Sequence, residues 1–167
     1  MTHLKEFHQV YLLLGSNLGD RQAHLNTALK LIEEMAGTVL RNSSIYETAA
    51  WGKEDQAGFL NQALLVETTL QPEVLLDTLL NCEKYCGRLR KEKWDARTID
   101  IDILYYDDIV FDTENLKIPH PLIQERRFVL VPMVEIASHL VHPILKMSQK
   151  QLLEKCEDQL EVKVFDK

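Results

Sequence analysis

The distribution of hydrophobic and polar positions along this chain predicts alternating strands and helices. Residues 8–14 end in the apolar run VYLLL, which is long enough for a buried strand and too short for a helix. Residues 25–36 repeat their apolar positions every three or four residues, which indicates a helix that begins near Asn17 or Asp20 and ends before Gly37. The same criteria predict strands over 38–47 and 59–67, a helix over 72–86 and a strand over 98–106.

The order of these elements predicts the fold. Strand, helix, strand, strand, helix, strand is the βαββαβ ferredoxin-like unit, an α+β fold with a mainly antiparallel sheet flanked by helices. We expect the C-terminal extension to cover or extend this sheet, within a single domain over residues 1–167. Its predicted elements are a strand pair up to Ile118, a helix from Pro132 to Ala137, a helix capped by Ser148 and Gln151, and an edge strand within 160–165.

The last strand of that unit carries two acids on one face. From Thr98 to Ile103 polar and apolar residues alternate strictly, so Asp100 and Asp102 point to the same side. Two charges roughly 6.5 Å apart repel by about 2.5 kcal/mol at an effective dielectric constant near 20. The pair therefore needs a counter-charge, and the candidates are a divalent cation or nearby basic side chains.

A basic cluster lies just upstream of the two acids. It consists of Arg88, Arg90, Lys91, Lys93 and Arg97, in a chain whose formal net charge is -7. Basic residues also favour helix ends, and the acids of an edge strand can simply face water. The basic cluster and the acid pair, each taken alone, therefore have a structural explanation. Together they match what a nucleoside triphosphate with its magnesium requires.

A second pair of side chains could recognise a flat ring. Phe59 and Asn61 share one face of the predicted strand 59–67. An aromatic face beside a carboxamide can stack on and hydrogen-bond a heterocycle. The alternative is a core phenylalanine beside an asparagine that satisfies the backbone, and the residues alone favour that alternative.

Three further residues stand in unusual settings. Glu83 borders the apolar stripe of its helix, and it is either a surface acid or an ATP contact that reaches the basic cluster. Trp94 lies in a charged loop, as a hydrophobic anchor or a lid residue. His120 lies between two prolines on a stiff backbone, as a turn residue or a phosphate contact.

Composition and charge limit the possible partners. A chain with 46% hydrophobic residues can bury a core, and its net charge of -7 argues against binding bulk nucleic acid or an anionic membrane. The start, MTHLKEFHQ, lacks an apolar signal core, and no apolar run approaches the length of a membrane span, so we expect a cytoplasmic protein. The three cysteines should be reduced, with Cys82 and Cys86 as buried core residues rather than metal ligands.

Four segments resemble those of the 6-hydroxymethyl-7,8-dihydropterin pyrophosphokinases of the folate pathway. They are YLLLGSNLGDR, FLNQALLVETTL, RTIDIDILYY and IPHPLIQERRFVLVPMVEIA, spread from residue 11 to 137. The resemblance implies a ferredoxin-like fold and transfer of pyrophosphate from ATP to the pterin hydroxymethyl group, with release of AMP. It also implies magnesium as cofactor, ATP and the pterin as small-molecule partners, and we expect a monomer.

The resemblance also implies roles for individual residues. The catalytic set would be Arg88, Arg97, Asp100 and Asp102, with two Mg²⁺ ions held by Asp100 and Asp102. Further ATP contacts would come from Lys91, His120, Arg126 and the backbone around Ile103. The pterin would lie between Phe59 and Phe128 and contact Asn61, Asp100 and the backbone near Thr48 and Trp51, while Trp94 would lie on a mobile lid.

Three positions depart from the pattern of that family. Ala49 stands where a proline commonly follows the threonine, Asp95-Ala96 replaces a glycine-proline pair, and Lys117 stands where a small or hydroxyl residue is more usual. Two other functions fit parts of the sequence. A two-metal nuclease or nucleotidyltransferase would also use paired acids near arginines, and a ferredoxin-like RNA-binding module would stack bases on strand aromatics.

Overall fold

An antiparallel sheet forms the centre of the structure, a computed structural model that describes residues 6–48, 58–87 and 98–165. Within these ranges the sheet has six strands. They are β1 (His8–Ser16), β2 (Thr38–Asn42), β3 (Tyr46–Thr48), β4 (Phe59–Thr68), β5 (Asp100–Tyr106) and, after the two short strands named below, β8 (Lys163–Val164). Their order is β5-β1-β4-β3-β8, and β2 pairs with β4 beside β3. This is an α+β fold with an antiparallel sheet, as the sequence predicts.

Helices cover both faces of the sheet. They are α1 (Arg21–Met35), α2 (Pro72–Tyr85), α3 (Arg127–Ala137) and α4 (Gln149–Lys155). Val10, Leu12 and Leu14 of β1 pack with α1 and α2, whereas Tyr11 and Leu13 pack with α3 and α4. The first two helices thus cover one face, and the C-terminal extension covers the other.

Between β5 and α3 the chain forms smaller elements. A hairpin of β6 (Phe111–Asp112) and β7 (Lys117–Ile118) follows the Asp107-Asp108 turn, and a short 3₁₀ helix spans Ile123–Glu125. Lys117, one of the three departures, forms an exposed ion pair with Asp112 at 2.5 Å in this hairpin. The predicted strand pair up to Ile118 is therefore confirmed.

The predicted helix caps are present in the structure. The Asp20 carboxylate accepts a hydrogen bond from the Ala23 N–H at 3.1 Å and starts α1. Ser148 and Gln151 form a reciprocal capping box at α4. These local sequence signals correctly located two helix starts.

Two element predictions are wrong. The strand predicted over 38–47 is split into β2 and β3, because Ser43 bonds to β4 through both its backbone and its side chain, with the Ser43 hydroxyl accepting from the Ala63 N–H at 2.9 Å. Pro132 does not begin a helix but lies inside α3, which already starts at Arg127. The proline lacks an N–H, yet the helix continues because Leu130, Met133 and Ile136 are buried on the sheet.

No helix in the described ranges is long and apolar enough to cross a membrane.

Candidate active site

The two acids of β5 lie next to the central strand. Asp100 pairs with Gly15 and Asp102 with Leu13, so both carboxylates are on the face of the sheet that α3 covers. Both residues are half-buried at the end of the sheet where β5 begins. The predicted alternation, and with it the shared face of the two acids, is confirmed.

Glu83 supports β5 from the opposite face. This residue of α2 is only 4% exposed, and its carboxylate accepts a hydrogen bond from the Ile101 N–H at 2.7 Å. Ile101 stands between the two acids in the sequence, so the bond anchors the backbone from which both project. Of the two interpretations of Glu83 in the sequence, that of a surface acid is therefore wrong.

Gly15 makes room for the side chain of Asn61. The register places Asp100, Gly15 and Asn61 side by side on three adjacent strands, and the amide of Asn61 lies over the glycine. A Cβ atom at this position would lie 2.8 Å from Asn61 Nδ2 and 3.8 Å from Phe59 Cδ1. A glycine inside a strand often marks the close approach of a ligand.

Asn61 is buried with one polar atom available. The residue is 4% exposed, and its Nδ2 donates to the Leu14 carbonyl at 3.1 Å. Among the described residues its Oδ1 finds no hydrogen-bond partner. A buried amide oxygen without a partner is costly, which suggests an acceptor prepared for a ligand N–H.

Thr48 and Phe59 form the last residue pair of the β3–β4 ladder. Thr48 is buried and Phe59 is half-buried on the same face of β4 as Asn61. The strands approach closely here, because a Cβ atom on Gly58 would lie 2.4 Å from the Thr48 carbonyl oxygen.

His120 is held as a neutral imidazole. Its backbone N–H donates to the Leu104 carbonyl at 3.0 Å, and its Nδ1 accepts from the Leu122 N–H at 3.1 Å. Burial, together with the nearby Arg126 guanidinium, lowers the pKa of His120 from 6.5 to about 4. Near neutral pH, Nε2 therefore carries the single ring proton and is a hydrogen-bond donor.

Arg126 and Phe128 lie together at the start of α3. The Arg126 guanidinium carbon is 5.5 Å from the centre of the Phe128 ring, within the range of a cation–π contact. Phe128 is half-buried and packs against the core on the α3 side of the sheet, the side that also carries Phe59. Ile103 differs from these residues, because its side chain is buried in the core on the other face and only its backbone could contact a ligand.

Several predicted site residues lie outside the described residues. Arg88, Lys91, Trp94 and Arg97 fall within 88–97, as do the departures Asp95 and Ala96, and Trp51 and Ala49 fall within 49–57. Their predicted roles remain predictions.

The sequence predicts that Cys82 and Cys86 are core residues rather than metal ligands. Cys82 is fully buried in the core, with its Sγ 3.8 Å from Met35 Sδ. Burial raises the pKa of its thiol to about 11, with smaller contributions from Cys86 and Glu83. Cys82 is therefore a core residue, as the sequence predicts, whereas Cys86 is only half-buried against the same core.

Sequence reasoning missed Gly15. The strand predicted over 8–14 ends before this residue, whereas β1 continues through Gly15 to Ser16. A glycine at the end of an apolar strand was the available signal.

Comparison with known proteins identifies the family. The model of the family described as 7,8-dihydro-6-hydroxymethylpterin-pyrophosphokinase (HPPK) matches residues 11–138. The chain belongs to this family. The HPPK match confirms the resemblance found in the sequence, and with it the predictions of an enzyme, a pyrophosphokinase, and of a place in folate biosynthesis.

Individual relatives agree with this assignment. The chain is 43% identical to the pyrophosphokinase of Aquifex aeolicus over 142 residues, covering 85% of this chain and 88% of that protein. It is 45% identical to the Bacillus subtilis pyrophosphokinase over 131 residues, covering 78% of each.

A solved structure shows the same fold. The crystal structure of Plasmodium falciparum HPPK-DHPS with pteroate superposes with a TM-score of 0.74 at 18% sequence identity. The match covers 93% of this chain but only 43% of that longer chain, so this chain spans less than half its length. At this identity the likeness shows the fold alone.

Proposed function

We propose that this chain transfers the pyrophosphoryl group of ATP to the hydroxymethyl oxygen of 6-hydroxymethyl-7,8-dihydropterin and releases AMP. HPPK family membership supports the reaction class. The observation that carries the substrate assignment is the row of Asp100, Gly15 and Asn61, in which the buried Asn61 amide oxygen has no hydrogen-bond partner among the described residues.

We propose that the pterin binds beside this row of residues. Asn61 Oδ1 accepts a ring N–H, and Nδ2 is already engaged with the Leu14 carbonyl, which orients the amide. Phe59 and Phe128, on the same side of the sheet, stack on the two faces of the ring. Asp100 and the backbone near Thr48 and Trp51 complete the contacts with the pterin.

We propose that two Mg²⁺ ions bind at Asp100 and Asp102. Mg²⁺ is commonly held by one or two carboxylates together with phosphate oxygens and water rather than by a complete protein cage. Two acids on one face fit that requirement, and no group of three or more potential ligands occurs in the described ranges. When bound, Mg²⁺ neutralises charge on the triphosphate and lowers the pKa of a coordinated hydroxyl group.

The other proposed ATP contacts either hold the nucleotide in place or supply positive charge. His120 donates one hydrogen bond from Nε2 to a phosphate oxygen, and it is not the base that takes the hydroxyl proton, because its one unprotonated ring nitrogen, Nδ1, already accepts from the Leu122 N–H. Arg126 supplies a positive charge beside it. Arg88, Lys91 and Arg97 add positive charge at the triphosphate, Glu83 holds β5 in place, and the Ile103 backbone contacts the adenine.

The chemical step exchanges one P–O bond for another. The hydroxymethyl oxygen bonds to the β-phosphorus, the bond from that phosphorus to the α,β-bridging oxygen breaks, and AMP leaves with the electron pair while the hydroxyl proton passes to water. Such a transfer depends on positioning and charge stabilisation rather than on a covalent intermediate.

Product analysis of the purified protein tests this function. With ATP, magnesium and the pterin we expect pterin-dependent AMP without ADP. Turnover of ATP or of nucleic acid without the pterin would support a two-metal nuclease or nucleotidyltransferase instead. Bound ATP with no turnover in any mixture would contradict the proposed reaction.

A further inference from the structure

Arg21 bonds to both strands at the end of the β3–β4 ladder. Its Nη1 donates to the Glu47 carboxylate and to the Gly58 carbonyl, each at 2.7 Å. Glu47 directly precedes Thr48, and Gly58 directly precedes Phe59. One guanidinium group therefore connects the two positions next to Thr48 and Phe59, which are partners across the ladder.

The ladder end that Arg21 bonds to has little space for adjustment. Gly58 lies so close to the Thr48 carbonyl that any side chain there would displace the backbone. Hydrogen bonds at the end of a ladder open more readily than those in its centre. A charged donor bonded to both strands opposes that opening.

The C-terminal strand supports Arg21 from the other side. β8 pairs with β3 through Val164 with Tyr46 and Lys163 with Glu47. The Phe165 N–H donates to the Ile45 carbonyl at 2.8 Å, and the Phe165 ring centre lies 5.6 Å from the Arg21 guanidinium carbon. Lys163, Val164 and Phe165 follow the segment 11–138 that the HPPK family model matches.

We infer that Arg21 is a positioning residue for the pterin end of the active site, and that Phe165 and β8 hold it in place. Arg21 places Thr48 and Phe59 through Glu47 and Gly58 and does not itself touch the substrate. The inference rests on the proposed pterin site. Loss of Arg21 then weakens pterin binding and leaves the triphosphate end, built on β5 and α3, unaffected.

Steady-state kinetics of matched variants test this role. Arg21→Met keeps the side-chain length and removes both hydrogen bonds, and we expect the KM for the pterin to rise about tenfold, as the loss of a charged hydrogen bond would cause. The KM for ATP and kcat should stay within about twofold. Arg21→Lys should restore part of the loss, and Phe165→Ala should shift the pterin KM in the same direction by less.

Arg41→Met is the matched control. Arg41 also donates from Nη1 to a backbone carbonyl, that of Ile136 at 3.0 Å, but on β2, away from Thr48 and Phe59. We expect its pterin KM to equal that of the wild type. A lower Tm for Arg21→Met with an unchanged pterin KM, or equal increases in both KM values, would overturn the positioning role.

Amide hydrogen exchange without substrate separates this inference from the proposed function. We expect faster exchange in β3 for Arg21→Met, with exchange in β1 unchanged. If the wild type forms no pterin-dependent AMP, the proposed function fails, while the exchange result still decides whether Arg21 holds the ladder end. Unchanged exchange in β3 would overturn the inference even in an active enzyme.

Discussion

Asn61 and Asp100 lie at the same level of the sheet, separated only by the backbone of Gly15. Both are direct register partners of this glycine, one on β4 and the other on β5. A residue with a side chain at this position would collide with the Asn61 amide. The pairing of three strands thus places a hydrogen-bond acceptor and an acid on either side of one glycine.

Substitution of Gly15 by alanine should displace the amide that we propose binds the pterin. The added Cβ atom would lie 2.8 Å from Asn61 Nδ2 and displace the amide. We expect the dissociation constant of the pterin to rise roughly tenfold, equivalent to about 1.4 kcal/mol, in a titration followed by calorimetry.

Ser16→Ala is the control for that variant. Ser16 is the next residue of β1, so its side chain points to the other face of the sheet. We expect pterin affinity to remain that of the wild type. Equal losses in the two variants would mean that Gly15 affects β1 generally rather than the Asn61 amide.

Asp102→Asn should abolish most turnover without unfolding the protein. The amide keeps the size of the side chain but removes the charge proposed to hold Mg²⁺, and we expect kcat to fall by roughly three orders of magnitude. A magnesium titration of the initial rate measures this loss. Asp112→Asn, at an exposed ion pair with Lys117, should remain fully active. Near-normal turnover of Asp102→Asn at saturating magnesium would contradict the metal assignment.

Glu83→Ala should destabilise the fold. The substitution removes the acceptor of the buried Ile101 N–H, and we expect the free energy of unfolding to fall by about 2–3 kcal/mol in urea denaturation. Asp77→Ala, at an exposed position of the same helix, should change it by less than about 0.5 kcal/mol. A loss for Glu83→Ala as small as that of the control would show that this bond contributes little to stability.

His120 should remain neutral to well below pH 6. Its pKa is about 4 in the folded chain and near 6.5 when unfolded, so the unfolded state binds the proton first as the pH falls. The contribution of neutral His120 to the free energy of unfolding is fully present above about pH 6.5. It is lost as the pH falls toward pH 4, by roughly 3 kcal/mol in total.

Two measurements check the behaviour of His120. NMR titration of the imidazole should give a midpoint near pH 4. Between pH 7 and pH 4.5 the His120→Gln variant should lose less stability than the wild type, because the glutamine side chain does not take up a proton. The lowered pKa of His142 affects both proteins equally. A midpoint near 6.5 would mean that the imidazole is not desolvated in solution.

Local patterns predicted those features that depend on neighbours in the sequence. Alternation placed Asp100 with Asp102 and Phe59 with Asn61 on shared faces, because successive strand residues point to opposite sides. Short-range capping patterns located Asp20 and Ser148. Pro132 shows the limit of such rules, because buried contacts of α3 with the sheet outweighed the local preference of proline for a helix start.

The sequence by itself determined the family, the α+β fold and which residues could carry chemistry, since these follow from motifs, periodicity and side-chain type. Only the tertiary structure decided that Gly15 separates Asn61 from Asp100, that Glu83 is buried against Ile101, and that Arg21 connects Glu47 to Gly58. These relationships join residues far apart in the chain. They depend on strand register and on the packing of helices against the sheet, which no local pattern specifies.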